Sequence, residues 1–309
     1  MSTWANRQWT AMGSPCQLMV YGDDPETVAD EAVAEVERLE ACWSRFRPES
    51  ELSELNRSDG RWFPASSTLW EALDRARTAW ASSEGLFDPT IARRLEQFGY
   101  DRTFGSVELT SAAPVSPTAP VGFGHVQFDD QVCSALVPPA MNIDLGGIGK
   151  GLAADLVTAR AVSQGASSVC ISLGGDIRVR GPGPDADATW GLDIRHPSDG
   201  RVLGAFALCD EALVQSTTLF RRWHRDGRTL HHLIDPRTGQ PSQSDLIGAV
   251  VTGVDAWWAE VVAKVAIMLG ATAGVAFLLR SGVDGWLLKA DGTTVATAAV
   301  AGDLEAATS

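Results

Sequence analysis

Eight consecutive residues, Asp144-Leu145-Gly146-Gly147-Ile148-Gly149-Lys150-Gly151, place four glycines and a lysine where a strand end turns into a helix. Glycine lets the backbone approach a ligand closely, and a helix N-terminus next to a lysine favours an anion such as phosphate. The segment is not a P-loop, because Asp144 and Gly151 stand where that motif needs its first glycine and its Ser or Thr. Nor is it GxGxxG, and a tight turn without a ligand fits the spacing equally well. A second segment, Leu230-His231-His232-Leu233-Ile234-Asp235-Pro236-Arg237-Thr238-Gly239, carries adjacent histidines. In an extended strand these point to opposite sides, so at most one faces a given site. A chain reversal at Pro236 lets Asp235 orient the His232 imidazole, which suits a general base titrating near neutrality. A structural histidine above a turn fits too. Ser50–Asn56, Gly85–Thr90 and Ser172–Asp176 each read as turn chemistry.

Helices and strands must hold these segments. A strand over Cys16–Tyr21 leads into an amphipathic helix over about 25–44, with Val28, Ala32, Val36, Leu39 and Trp43 at helical spacing. A second helix is expected from Thr68, with Glu71 completing a capping box and Leu69, Leu73, Ala76 and Trp80 as the buried stripe. Residues 110–122 read as a loop, since prolines and small polar residues break both periodicities. The helix after the glycine turn should run to Gly165. Strands are expected at Ser168–Leu173, Ile177–Arg180, Val202–Leu208, Ile247–Thr252 and Trp286–Ala290. A further helix from about Asp255 carries Trp258, Val261, Val265 and Met268. Strands and helices mixed without a strict βαβ rhythm point to an α+β architecture.

Composition narrows the function classes. The 309 residues carry 25 Lys+Arg against 39 Asp+Glu, a net charge of −14, which argues against a general nucleic-acid binder. A local basic pocket for a small anion remains compatible. Five dispersed cysteines without a CxxC pair read as reduced, buried thiols. The span Ala256–Leu279 is apolar, but it contains Glu260 and Lys264, and Gly270 with Gly274 marks a junction between two helices. No membrane insertion is expected, and the N-terminus lacks a secretory h-region, so the location expected is cytoplasmic.

In their order along the chain, the segments resemble the FAD:protein FMN transferase (ApbE) family over nearly its whole length. The resemblance begins at Met12-Gly13-Ser14 and passes through Trp43-Ser44-Arg45-Phe46 and SELSELN. It continues with GLFDPT, IDLGGIGKGLAAD, SLGGDIRVRG, HLIDPRTGQP and the helix at Ala259–Gly270. It implies one domain over 1–309, built of two interleaved α+β lobes related to the T-fold, with FAD bound between them. Family members transfer FMN from FAD to a Ser or Thr hydroxyl of an acceptor flavoprotein and release AMP. Carried over, Met12, Phe46, Leu86, Phe87, Asp88, Asp144, Lys150 and Leu233 contact FAD, and His232, with Asp235, is catalytic. The related alternatives are an FAD pyrophosphatase, with water as acceptor, and an FAD-binding protein without turnover.

At the helix positions where the family usually carries Asp and Thr ligands to Mg²⁺, this chain has Glu260 and Lys264, and a third ligand maps to the Gly147 carbonyl. Glu260 and Lys264 are i,i+4 neighbours, so an ion pair is expected, with the ammonium in the cation's place. Near the C-terminus, Asp291–Thr297 is similar to the family's acceptor motif, which makes Thr297 a conceivable self-flavinylation site. A turn followed by an alternating strand fits the same residues.

Overall fold

The computed structural model describes residues 2–114, 122–184 and 188–301, so 115–121 of the expected loop lie outside the described residues. Its α-helices are α1 (Pro25–Trp43), α2 (Glu51–Asn56), α3 (Ser67–Ser82), α4 (Ala92–Gln97), α5 (Gly149–Ser163), α6 (Ala256–Leu269) and α7 (Ala271–Arg280). The stripe Val28, Ala32, Val36, Leu39 and Trp43 of α1 is buried throughout. Helix α3 departs from expectation at its start. Ser66 is the N-cap and accepts from the Leu69 amide at 3.2 Å, while Glu71 pairs with Arg75 one turn on. Trp80 is only half-buried, its ring tilted against Phe123.

Two compact units form, each from separate stretches of chain. The first comprises Met1–Glu37, Lys150–Leu219 and Ser244–Ser309, and the second Arg38–Gly149 and Phe220–Gln243. The first unit is built on an eight-stranded antiparallel sheet whose strands neighbour one another in chain order. These are Thr3–Ala11, Ser14–Gly22, Ala166–Leu173, Asp176–Arg180, Ala212–Thr217, Leu246–Gly253, Asp284–Lys289 and Thr294–Ala296. A separate hairpin, Trp190–Arg195 with Val202–Leu208, adds Trp190 and Phe206 to a core with Val179, Leu213 and Trp286. Helix α6 packs on Ala212–Thr217 and Leu246–Gly253 and against α7. Gly270, at φ 79°, separates these two helices, so the apolar stretch Ala256–Leu279 is interrupted. Among the described residues no helix is long and apolar enough to cross a membrane.

The second unit holds short sheets around Leu95, Phe98, Tyr100, Val107, Trp223, Leu230 and Ile234. The hairpin Arg222–Arg225 with Arg228–His231 also pairs with Thr110–Ser111, so the expected loop begins with a short strand. All five cysteines are free thiols. Cys209 is exposed and only Cys16 is fully buried, which corrects the expectation of buried thiols.

In the first unit, α5 and α6 cap each other. A helix start leaves amide donors without intrahelical partners. Asp155 of α5 accepts from the Ala256 and Trp257 amides at 3.1 and 2.9 Å, a task that the N-cap residue Asp255 does not perform. Glu260 of α6 accepts from the Gly151 amide at 2.8 Å. Gly151 permits the approach, since a Cβ there would lie 2.5 Å from the Ala256 carbonyl oxygen. Arg178, 1% exposed, completes the arrangement with Nε 3.1 Å from Asp155. Asp155→Ala would strand the Arg178 charge and two amides, and should lower stability by about 3–5 kcal/mol. Urea unfolding checks this, and a loss within about 1 kcal/mol would show that the mutual cap contributes little.

Candidate functional site

In the first unit, four charged side chains meet where α5 begins. Lys150, in its first turn, forms a very short ion pair with Asp176, the first residue of its strand. Glu260 lies with Oε1 2.9 Å from the Lys264 ammonium and 3.7 Å from that of Lys150. Burial alone would raise the Glu260 pKa, but the two ammoniums and the Gly151 amide outweigh it and hold the carboxyl below its ordinary value. Asp176 is shifted the other way, upward, chiefly by burial.

Met12 and Gly13 form the two-residue turn between the first two strands, with φ 51° and 65°. Such a turn favours Asn-Gly, and a methionine in the left-handed region is strained by about 1 kcal/mol. The Gly174–Gly175 turn lies against it: the Gly174 amide donates to the Pro15 carbonyl at 2.9 Å. A Cβ on Gly174 would meet Ser14 at 2.7 Å and the Lys150 stem at 3.7 Å. Met12, Lys150, Asp176, Glu260 and Lys264 therefore belong to one neighbourhood of the first unit.

The second unit gathers the remaining residues. Arg45 is nearly buried, with Nε 3.0 Å from Asp144 Oδ2 and its guanidinium 4.1 Å above the centre of the Phe46 ring. Asp144 turns its other oxygen to the Gly146 amide at 2.7 Å, which shapes the glycine turn that also carries half-buried Gly147. The Asp144 amide donates to the Pro89 carbonyl at 2.7 Å and so draws GLFDPT to the glycine turn. In that segment Leu86 is half-buried and Phe87 buried. Asp88 accepts from the Thr90 amide at 2.8 Å and the Phe123 amide at 3.1 Å, holding two loops together.

The histidine segment separates its two imidazoles. His231 is buried, its Nε2 lies 2.9 Å from the Ser242 carbonyl, and burial lowers its pKa. His232 is half-buried and followed by buried Leu233. Asp235 is engaged within its own turn. Its carboxylate is held by Arg237, with Nε at 2.9 Å from Oδ1 and NH2 at 2.7 Å from Oδ2, because the reversal at Pro236 folds the arginine back onto it. Asp235 is thus a turn clamp. Thr297 departs from its suggested role: it is 1% exposed, and its hydroxyl accepts from the Gly285 amide at 3.2 Å.

Two participants, Asp176 and Arg45, lie inside motifs of the resemblance but had no role of their own in the sequence reading. The signal for Asp176 was a carboxylate directly after a Gly-Gly turn, which needs a cation once buried. The donor set does not fit a divalent metal. Glu260 spends both oxygens on Gly151 and Lys264, Asp176 gives Oδ2 to Lys150 and leaves only its buried Oδ1 without a hydrogen-bond partner, and a metal there would sit beside two ammoniums. Among the described residues no group of three His, Cys, Asp or Glu is placed to hold a metal ion.

The sequence matches the model of the ApbE family over residues 12–287. It is similar to a FAD:protein FMN transferase of Klebsiella pneumoniae (strain 342), with 28% identity over 273 residues, 86% of this chain and 83% of that protein. The fold is similar to that of the ApbE protein of Thermotoga maritima, with a TM-score of 0.87, 22% identity and coverage of 98% and 99% of the two chains. Flavinyl transferase ApbE of Pseudomonas stutzeri gives a TM-score of 0.84 at 23% identity, covering 98% and 97%.

Met12→Asn should relieve the turn and raise stability by about 0.5–1 kcal/mol; an unchanged or lower melting temperature would show that the methionine is not strained. The hydrogen bonds from Arg237 outweigh burial and depress the Asp235 pKa. Its stabilising effect is then complete above the unfolded pKa of about 4 and fades as pH falls through the lower folded value. The stability gap between the native chain and Asp235→Asn should therefore close in acid. A gap independent of pH between 2 and 7, roughly, would contradict the clamp.

Proposed function

Because the chain belongs to the ApbE family, we propose that it is a FAD:protein FMN transferase that moves FMN from FAD to a Ser or Thr hydroxyl of an acceptor flavoprotein. The observation that carries this reading is the family match across residues 12–287, which includes every assigned site residue. The two units are then the interleaved, T-fold-related lobes of one transferase domain over 1–309. Met12, Phe46, Leu86, Phe87, Asp88, Asp144, Lys150 and Leu233 hold FAD.

In the reaction the acceptor hydroxyl attacks the FMN phosphorus, a new phosphoester bond forms, the anhydride bond breaks and AMP leaves. His232 takes the hydroxyl proton as the oxygen attacks. Its half-buried ring, on the segment between two short hairpins, supports that role, because a base must reach the acceptor while remaining positioned. Lys150 and the positive end of the α5 dipole stabilise the charge that builds on the phosphates. Asp88 and Asp144 act by holding the GLFDPT loop and the glycine turn in place. A flavin binder without turnover is the second reading, favoured by Lys264 at a ligand position.

Incubation with FAD and an acceptor carrying an Asp-Gly-x-Thr-x-Ala-Thr segment should yield AMP and an acceptor heavier by FMN. Free FMN would indicate hydrolysis, and neither product would indicate binding alone. His232→Ala should reduce transfer by about 10²–10⁴-fold with FAD affinity little changed. His231→Ala should chiefly weaken the fold, since it removes a buried hydrogen-bonded ring. Equal losses of activity in the two variants would overturn the assignment of His232.

A further inference from the structure

The cluster at the start of α5 is layered by charge. The carboxylate side chains of Asp176 and Glu260 are 1% and 0% exposed, whereas those of Lys150 and Lys264 are 15% and 12% exposed. The negative groups lie behind and the ammoniums in front. A molecule approaching this face meets positive charge first, at the positive end of the α5 dipole. Such a face suits a phosphoanion and repels a metal cation.

We propose that Lys264 is a built-in cation occupying the place where the family resemblance implies Mg²⁺, so that this chain takes up FAD without a divalent ion. This rests on the reading of the site as FAD-binding. Glu260 is the holder of the ammonium: Lys264 lies one helical turn beyond it, Nζ is 2.9 Å from Oε1, and the other oxygen is fixed on Gly151. A divalent ion would have to break that pair and then remain near two ammoniums. With both carboxylates ionised, the two lysines and two acids sum to zero charge, so the helix start and the outward placement of the ammoniums supply the attraction for a pyrophosphate. An ammonium brings three donors but no coordination geometry, so FAD is held by hydrogen bonds and charge alone.

The test uses the native protein and Lys264→Thr combined with Glu260→Asp. Flavin fluorescence titrations should give the native chain FAD affinities that agree within about twofold in EDTA and in excess Mg²⁺. Electron paramagnetic resonance with Mn²⁺ should show no bound ion in the native protein. The double variant should bind Mn²⁺, lose about tenfold or more in FAD affinity in EDTA, and recover it with Mg²⁺. A native protein that binds one Mn²⁺, or whose FAD affinity collapses in EDTA, would overturn the proposal. If the native chain binds no FAD in either buffer, the FAD reading fails, and the Mn²⁺ spectrum alone decides whether the ammonium excludes the metal. Should the double variant not fold, both native measurements still decide.

Discussion

The exchange of carboxylates between α5 and α6 is the constraint on which the first unit depends. Each helix start is completed by an acid from the other, and each acid is in turn held by a cation, Arg178 for Asp155 and Lys264 for Glu260. None of these groups can move alone without leaving a buried charge or amide unsatisfied. The same pairing that closes the fold therefore sets where Lys150, in the first turn of α5, presents its ammonium. Structure and site share their components here.

The second unit solves a similar problem with loops. The carboxylates of Asp88 and Asp144 bind backbone amides rather than cations alone, and through them the GLFDPT segment and the glycine turn become one arrangement. Arg45 then lies nearly buried between an acid and an aromatic face, where its charge is compensated on one side by Asp144 and on the other by the Phe46 ring. The residues that the family resemblance assigns to FAD contact are largely residues whose first partners are their own neighbours. Recognition and loop geometry are inseparable at these positions.

Periodicity made the long elements legible. The α1 stripe is buried as its spacing requires, the strand Val202–Leu208 has the expected bounds, and Gly270 does separate α6 from α7. The N-terminal strand Thr3–Ala11 was not legible, because TWANRQWTA mixes apolar and polar residues on an edge strand whose burial alternates weakly. The start of α3 lies earlier than expected because Ser66, two residues before Thr68, supplies the cap. At the site, chain order revealed the segments and the Glu260–Lys264 pair, since i,i+4 neighbours are visible in one helix. The partners of Asp176, Asp155 and Asp235 were not visible. Two of them depend on contacts across long sequence separations, and the third on which of two nearby groups a turn folds back.

The order of strands in the large sheet has a consequence for synthesis. Its strands neighbour one another in the order in which they are made, so the sheet can extend at one edge as the chain emerges. The first six, through Leu246–Gly253, precede α6. Until that late helix is made, the start of α5 lacks Glu260, and Asp155 has no α6 amides to cap. The second unit has all its residues once Gln243 is made. A nascent chain thus holds every residue of the smaller unit while the charged interior of the large sheet is still open, and the final stretch of translation closes it.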